Sequence, residues 1–338
     1  MLTGERVSAM RVLITGGAGF LGSHLAEKLI KIGHSVTVYD NFMRGEEAER
    51  NIAEIGENIG IETLEVIRDD ILNLERMKEA IQDKDLIFHF AALPSHRLAM
   101  KEPRNYAEVD VVGTVNVLEA ARLAEPSPVV LFASSNKVYG KRKDTFKEDD
   151  LLKPEGPYGL SKMCAEEFCR MYANYYGLDI PVIRYHHVIG PRCQPDRELS
   201  IFVEQVIHNQ EPIVHGHFKK GKFTPCAADY TNVHDVVDAS VEVASKTRGF
   251  EIFNLATGRV TTVLRIAELV IESLNKDDIE PELTEMLSHE SLRHSSDASK
   301  IKKVLDVELK TTVEDSIRQY VDWRLRIGAR TQATYRHG

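Results

Sequence analysis

Cysteine is scarce in this chain: the four present, Cys164, Cys169, Cys193 and Cys226, form no CxxC pair and no zinc-like spacing. Neither a disulfide framework nor a metal site is expected, and a reducing cytoplasm suits such usage best. Long apolar runs are missing too. None approaches the roughly 18 residues that cross a bilayer, and MLTGERVSAM has no apolar segment of the signal-peptide kind. There is no basic excess: the formal net charge is −9, which gives no footprint for nucleic acid or an anionic membrane. Internal repeats and low-complexity segments are absent.

What remains is an ordinary globular composition, 43% hydrophobic and 28% charged, in 338 residues. From Met10 to about Tyr185, short β-branched runs (RVLIT, SVTVYD, TLEVIRDD, DLIFHFAA, PVVLFASS, IPVIRY) alternate with amphipathic helical segments. That rhythm predicts an α/β fold of the Rossmann type, a doubly wound parallel sheet with helices on both faces. After Gly190 the rhythm breaks. IVHG and EIFNLA read as strands, and helices are expected near 199–209, 234–245 and 262–274. The expected division is a dinucleotide-binding domain over 10–185, completed by a later strand within 229–256, a smaller substrate-binding domain over 186–325, and a flexible tail over 326–338. The lead before Met10 reads as a flexible extension or an upstream start.

VLITGGAGFLGSHLAEKL places Gly16, Gly19 and Gly22 after the first strand and at the opening of the first helix. Strand, glycine loop and helix together form a dinucleotide fingerprint: a tight turn at Gly16, close backbone approach to a pyrophosphate at Gly19, and helix-strand packing at Gly22. Asp40 ends the second strand 24 residues after Gly16, where a carboxylate accepts from the adenosine ribose diol and repels a 2′-phosphate. NAD is therefore favoured over NADP, although Arg44 lies near. Asp70 and Ile71 end the third strand and suit an adenine site or an ordinary strand-end turn.

GPYGLSKMCAEEF sets Tyr158 and Lys162 four residues apart on one face of a helix. A nearby ammonium and a nicotinamide cation favour a phenolate, which makes Tyr158 a base; the same spacing also suits a plain surface pair. With TGGAGFLG at Thr15–Gly22 and HFAAL at His89–Leu93, this YGLSK segment resembles the extended short-chain dehydrogenase/reductases, in particular the NAD-dependent nucleotide-sugar epimerases and dehydratases. RYHHVIGPR, DYTNVHDVVDA and FNLATG are similar to later motifs of that family, so the resemblance runs from about Met10 to Trp323.

The resemblance implies NAD as cofactor, with Phe20, Leu21, Asn41, Ala91 and Ala92 joining the residues above at its site. It implies Tyr158 as general base, Lys162 holding the nicotinamide ribose, and Ser135 hydrogen-bonding the reacting sugar oxygen. A sugar hydroxyl then loses its proton to Tyr158 while its carbon passes hydride to NAD, and the transient ketone is reduced from its other face. Ser95 falls where the family lines the sugar pocket, and it also reads as a plain loop serine. In FASSNKVYGKRK, Asn136 and Lys137 stand where dehydratases carry Asp and Glu and where decarboxylases keep a Glu. An amide is no acid and a lysine is a poor carbon base, so elimination is disfavoured and epimerisation, most plausibly at C4 of a UDP-sugar, is expected. NKVYG also resembles CDP-sugar 2-epimerases, which leaves the carbon open.

Departures from the family pattern gather at substrate binding. His187 replaces an asparagine, Ala228 an arginine and Asp110 another asparagine. Arg192, Lys219, Lys220, Lys222 and Arg293 are the candidates to replace the lost cation. His186 and His187 are adjacent on a strand and point to opposite faces, which disfavours a metal pair. Helices around 104–124 and 157–176 match the family's dimer-forming pair, though their apolar stripes also suit an internal core. Two other readings stay open: a reductase or dehydrogenase that releases reduced cofactor, and a non-catalytic dinucleotide-binding protein.

Overall fold

The computed structural model describes residues 9–60, 64–141, 145–286 and 293–328. The lead before Met10, apart from Ala9, and residues 329–338 of the expected tail lie outside them. The first half runs β1 (Arg11–Thr15), α1 (Phe20–Lys31), β2 (Ser35–Asp40), α2 (Glu46–Ile59), β3 (Leu64–Arg68), α3 (Leu74–Ile81) and β4 (Leu86–His89). Two short helices follow, α4 (His96–Lys101) and α5 (Pro103–Tyr106), then a π-helical turn (Ala107–Val112) that leads into α6 (Gly113–Leu123). β5 (Val129–Ser135) passes through a 3₁₀ turn (Asn136–Tyr139) towards α7 (Pro157–Tyr176) and β6 (Ile180–Tyr185).

The second half contains β7 (His187–Ile189), α8 (Glu198–Ile207), β8 (Ile213–Lys219), β9 (Lys222–Pro225), β10 (Ala227–Asn232), α9 (Val233–Lys246) and β11 (Phe250–Leu255). It closes with β12 (Val260–Thr262), α10 (Val263–Ser273), β13 (Glu282–Glu285), β14 (Arg293–His294), α11 (Ser299–Leu305) and α12 (Val313–Arg326).

Seven strands form one parallel sheet in the order β11-β6-β5-β4-β1-β2-β3. All residues of β4 and β6 are buried, as strands covered on both faces require; β3, at the edge, carries Glu65 and Arg68 instead. Alternation along β1 divides the core: Val12 and Ile14 pack with α1, α2 and α9, whereas Leu13 packs with α3, α6 and α7 on the opposite face. Strand order reverses between β1 and β4. A crevice therefore opens at the carboxyl ends of the strands, where α/β sheets take their ligands.

A separate apolar cluster lies beyond the sheet, built by α8, α10 and α12 around Phe202, Val270, Tyr320 and Trp323. Its strands form two small sheets, one around β10 and one of β8, β9 and β13. Two helices stand outside the sequence expectation. α11 is only seven residues long, too short to show a period, and α12 is capped by Thr312 with Glu314 and Asp315 in its first turn. Arg326, the first residue of the expected tail, belongs to α12.

Candidate active site

The glycine turn between β1 and α1 forms one wall of the cleft at the switch point. Gly16 has φ +70°, and a side chain there would put its Cβ 2.6 Å from the Ala91 nitrogen. At Gly22 a Cβ would lie 2.2 Å from the Gly16 carbonyl oxygen, so the helix can start this close to the strand only without one. Asn51 donates to the Ala18 carbonyl at 2.9 Å and holds the turn from α2. Asp40 accepts from the backbone N–H of Ala18 at 3.1 Å and of Phe42 at 2.8 Å, which aims its carboxylate at the cleft. Asn41 donates to Asp70 at 2.7 Å, and Ile71 is buried beside them. Gly16, Gly19, Phe20, Leu21, Gly22, Asp40, Asn41, Asp70, Ile71, Ala91 and Ala92 thus line one continuous surface. An anion-accepting turn and a carboxylate at the end of β2 fit a dinucleotide's pyrophosphate and ribose.

The reacting end lies where β5 stops. Ser135 is held by its own turn: its Oγ accepts from the Lys137 N–H at 3.2 Å and donates to Asn136 Oδ1 at 3.4 Å. Tyr158, from the first turn of α7, lines the cleft together with Ser135. Burial raises the Tyr158 pKa and the Asp110 carboxylate raises it further, while the Ser135 hydroxyl and the Arg197 cation oppose both. Lys162, one turn along α7, donates from Nζ to the Ala133 carbonyl at 2.9 Å and lies 4.9 Å from the centre of the Phe132 ring. Its pKa is lowered by burial, against the pull of Asp110. Asn136 is steadied from behind, its Nδ2 lying 3.4 Å from His186 Nδ1, and the other ring nitrogen of His186 meets Ser296 Oγ. Burial, aided by the Lys137 charge, lowers the His186 pKa to about 3, so the ring is neutral near pH 7.

Lys137 and His187 also face the cleft, the latter packed edge-on against Tyr230 with ring centres 5.6 Å apart. Three of the expected contacts stand outside the cleft lining. The Ser95 Oγ caps α4 by accepting from the Leu98 N–H at 3.3 Å, while the neighbouring Pro94 lines the cleft. Arg192 turns away from the cleft: with φ +62° its guanidinium is buried against α1 and α2, 2.7 Å from Glu27 and 3.0 Å from Glu54. Lys219, Lys220 and Lys222 sit exposed on the β8–β9 hairpin, outside the cleft lining. Arg293 is described only as strand backbone paired with Ala227, and its side chain lies outside the described residues.

Arg197 went unnoticed in the sequence and stands in the cleft, donating to Gln194 at 2.9 Å and to the Pro94 carbonyl at 3.1 Å. GPRCQPDR holds both arginines; the first has a left-handed backbone and is held by Glu27 and Glu54, and the second reaches the cleft.

A doubly wound sheet with a glycine turn after β1 and a Ser, Tyr and Lys set joining β5 to α7 defines a short-chain dehydrogenase/reductase of the extended kind. The chain belongs to the NAD dependent epimerase/dehydratase family, whose model matches residues 12–256. It is 30% identical over 319 residues to a UDP-glucose 4-epimerase of Mycolicibacterium smegmatis, covering 93% of this chain and 98% of that protein. It is 29% identical over 327 residues to a UDP-N-acetyl-alpha-D-glucosaminuronate decarboxylase of Bacillus cytotoxicus, covering 93% and 97%. Among solved structures, the UDP-glucuronic acid 4-epimerase of Bacillus cereus in complex with UDP-glucuronic acid and NAD superposes with a TM-score of 0.85 at 25% identity, over 94% of this chain and 100% of that one.

Proposed function

We propose that this protein is an NAD-dependent epimerase that inverts C4 of a UDP-sugar. The observation that carries this reading is the meeting of Ser135, Tyr158 and buried Lys162 in one cleft lining, with Asn136 and Lys137 in place of carboxylates. NAD, when bound, takes up and returns a hydride. The glycine turn would hold its pyrophosphate, Asp40 its adenosine ribose, and Lys162 its nicotinamide ribose. Ser135 orients the sugar hydroxyl, and Tyr158 takes that hydroxyl's proton and gives it back. Asn136, an amide, cannot protonate a leaving hydroxide. Residues 10–185 with β11 are assigned to the cofactor, and the remainder of 186–325 mainly to the substrate.

Incubation with UDP-, CDP-, GDP- and dTDP-sugars, followed by separation of stereoisomers, tests the proposal. A UDP-sugar C4 isomer of unchanged mass is expected; loss of water or carbon dioxide, or net accumulation of reduced nicotinamide, overturns it.

Arg197 supplies the cation that Ala228 does not. Arg197→Ala is expected to raise KM for the nucleotide-sugar about tenfold or more while kcat changes little, the pattern of a lost binding contact. Initial rates across substrate concentration read this directly.

The chain is further assigned as a homodimer in a reducing cytoplasm. Leu160, Phe168 and Tyr175 are exposed along one face of α7, with Leu123 and Tyr176 also exposed on the α6–α7 pair and Val112 on the π-helical turn before it. None of the four cysteines forms a disulfide, which suits that compartment. No helix among the described residues is long and apolar enough to cross a membrane. Sedimentation should give twice the chain mass for the wild type and a single chain for Phe168→Glu.

A further inference from the structure

Asp110 stands in the π-helical turn before α6, with 1% of its surface exposed. Its Oδ1 accepts from the Leu93 N–H at 2.9 Å, which fixes the segment after β4 that lines the cleft at Ala91, Ala92 and Pro94. Its Oδ2 accepts from Ser161 Oγ at 2.7 Å, and Ser161 lies on α7 between Tyr158 and Lys162. The carboxylate thus joins three segments that converge on the reacting end. It is also the buried anion whose charge acts on both Tyr158 and Lys162. Neither hydrogen bond requires that charge. A neutral amide would still accept from Leu93, and Ser161, whose hydroxyl also reaches the Tyr158 carbonyl at 2.9 Å, would accept from the amide.

We propose that Asp110 is a positioning residue whose carboxylate is the counter-charge of Lys162 and sets the pH range in which Tyr158 works as a base. This rests on the epimerase reading for its kinetic consequence only. The carboxylate disfavours the phenolate and favours the ammonium, so it moves the ionisation of both groups towards higher pH.

The other groups around the pair are accounted for. His89 of β4, held by Thr15 at 2.7 Å and Thr114 at 2.9 Å, has its pKa lowered by burial and the Lys162 charge to about 3, so it stays neutral near pH 7. Tyr106 of α5 lies edge-on to Tyr158 with ring centres 6.3 Å apart. Burial first and then Asp110 push its pKa up to about 12, with Asp196 adding to the rise. Cys169 of α7 is raised well above the usual thiol range by burial and by Glu166, which is itself paired with Arg184 at 2.7 Å. Arg197 donates to the Pro94 carbonyl at 3.1 Å. Cys169 and Glu166 also favour the Lys162 ammonium, but Asp110 is the carboxylate whose charge acts on Tyr158, with Arg197 opposing it.

The test is an ultraviolet difference titration of Asp110→Asn, with the same variant carrying Tyr158→Phe as the blank that isolates one tyrosine. The Tyr158 step is expected at lower pH than in the wild type, and the acid and alkaline limbs of the kcat/KM profile should both move the same way. A folded Asp110→Asn whose Tyr158 step and rate profile stay at wild-type pH overturns the proposal and leaves Asp110 a hydrogen-bonding strut. If the amide variant does not fold, Asp110→Ser removes the same charge and is read in the same way. The titration needs no turnover. A shifted step in a protein that epimerises nothing would therefore sink the epimerase reading and leave this one standing.

Discussion

Tyr158→Phe lowers kcat about 10²–10⁴-fold, the range associated with loss of a positioned acid-base group, while the purified protein keeps its NAD. The substitution removes one hydroxyl from the cleft lining and leaves the ring's packing against Tyr106 in place. Nothing in the glycine turn or at Asp40 changes. NAD content after denaturation and stopped-point epimerisation assays on the same preparation separate the two effects. Unchanged activity would show that another group moves the proton. Loss of NAD together with activity would show that Tyr158 serves cofactor retention rather than proton transfer.

The second large effect is on stability. Glu166→Ala is expected to destabilise the fold by about 3–5 kcal/mol, as removal of one member of a buried ion pair does, read as a lower denaturant midpoint at unchanged slope. The Glu166 and Arg184 side chains are each 2% exposed and joined by two hydrogen bonds, Nε–Oε1 at 3.0 Å and Nη2–Oε2 at 2.7 Å. Ser134 also donates to Glu166, and Arg184 continues to the Tyr139 hydroxyl at 2.8 Å and the Glu148 carbonyl at 3.1 Å. Without the carboxylate, a guanidinium stays buried behind the Ser134–Ser135 end of β5. A loss below about 1 kcal/mol would mean that water or Tyr139 replaces the pair.

Features written in short stretches of chain were legible beforehand. The glycine turn, the end of β2 at Asp40 and the YGLSK turn each need only their neighbours in sequence, and all three meet at one cleft. Legibility failed where partners lie far apart. Arg192 could not be excluded from the cleft without knowing that Glu27, 165 positions earlier, and Glu54, 138 earlier, would claim it. The capping role of Ser95 was not legible, because a helix as short as α4 leaves no period to announce its cap. Asp110 stood out in the sequence only as a departure from an asparagine. Its place between Leu93 and Ser161, 17 and 51 residues away, appears only when α7 folds back beside the π-helical turn.

The position of β11 at the end of the sheet bears on the order in which the molecule can be completed. β6 is buried along its whole length and pairs with β5 on one side and with residues 250–255 on the other. A nascent chain that has emerged only to residue 185 therefore carries an unpaired apolar edge, open to any strand that reaches it first. The hairpins and helices of 186–249 must all be synthesised before the native partner arrives. Detaching the first 185 residues as a minimal nucleotide-binding fragment would make that transient exposure permanent.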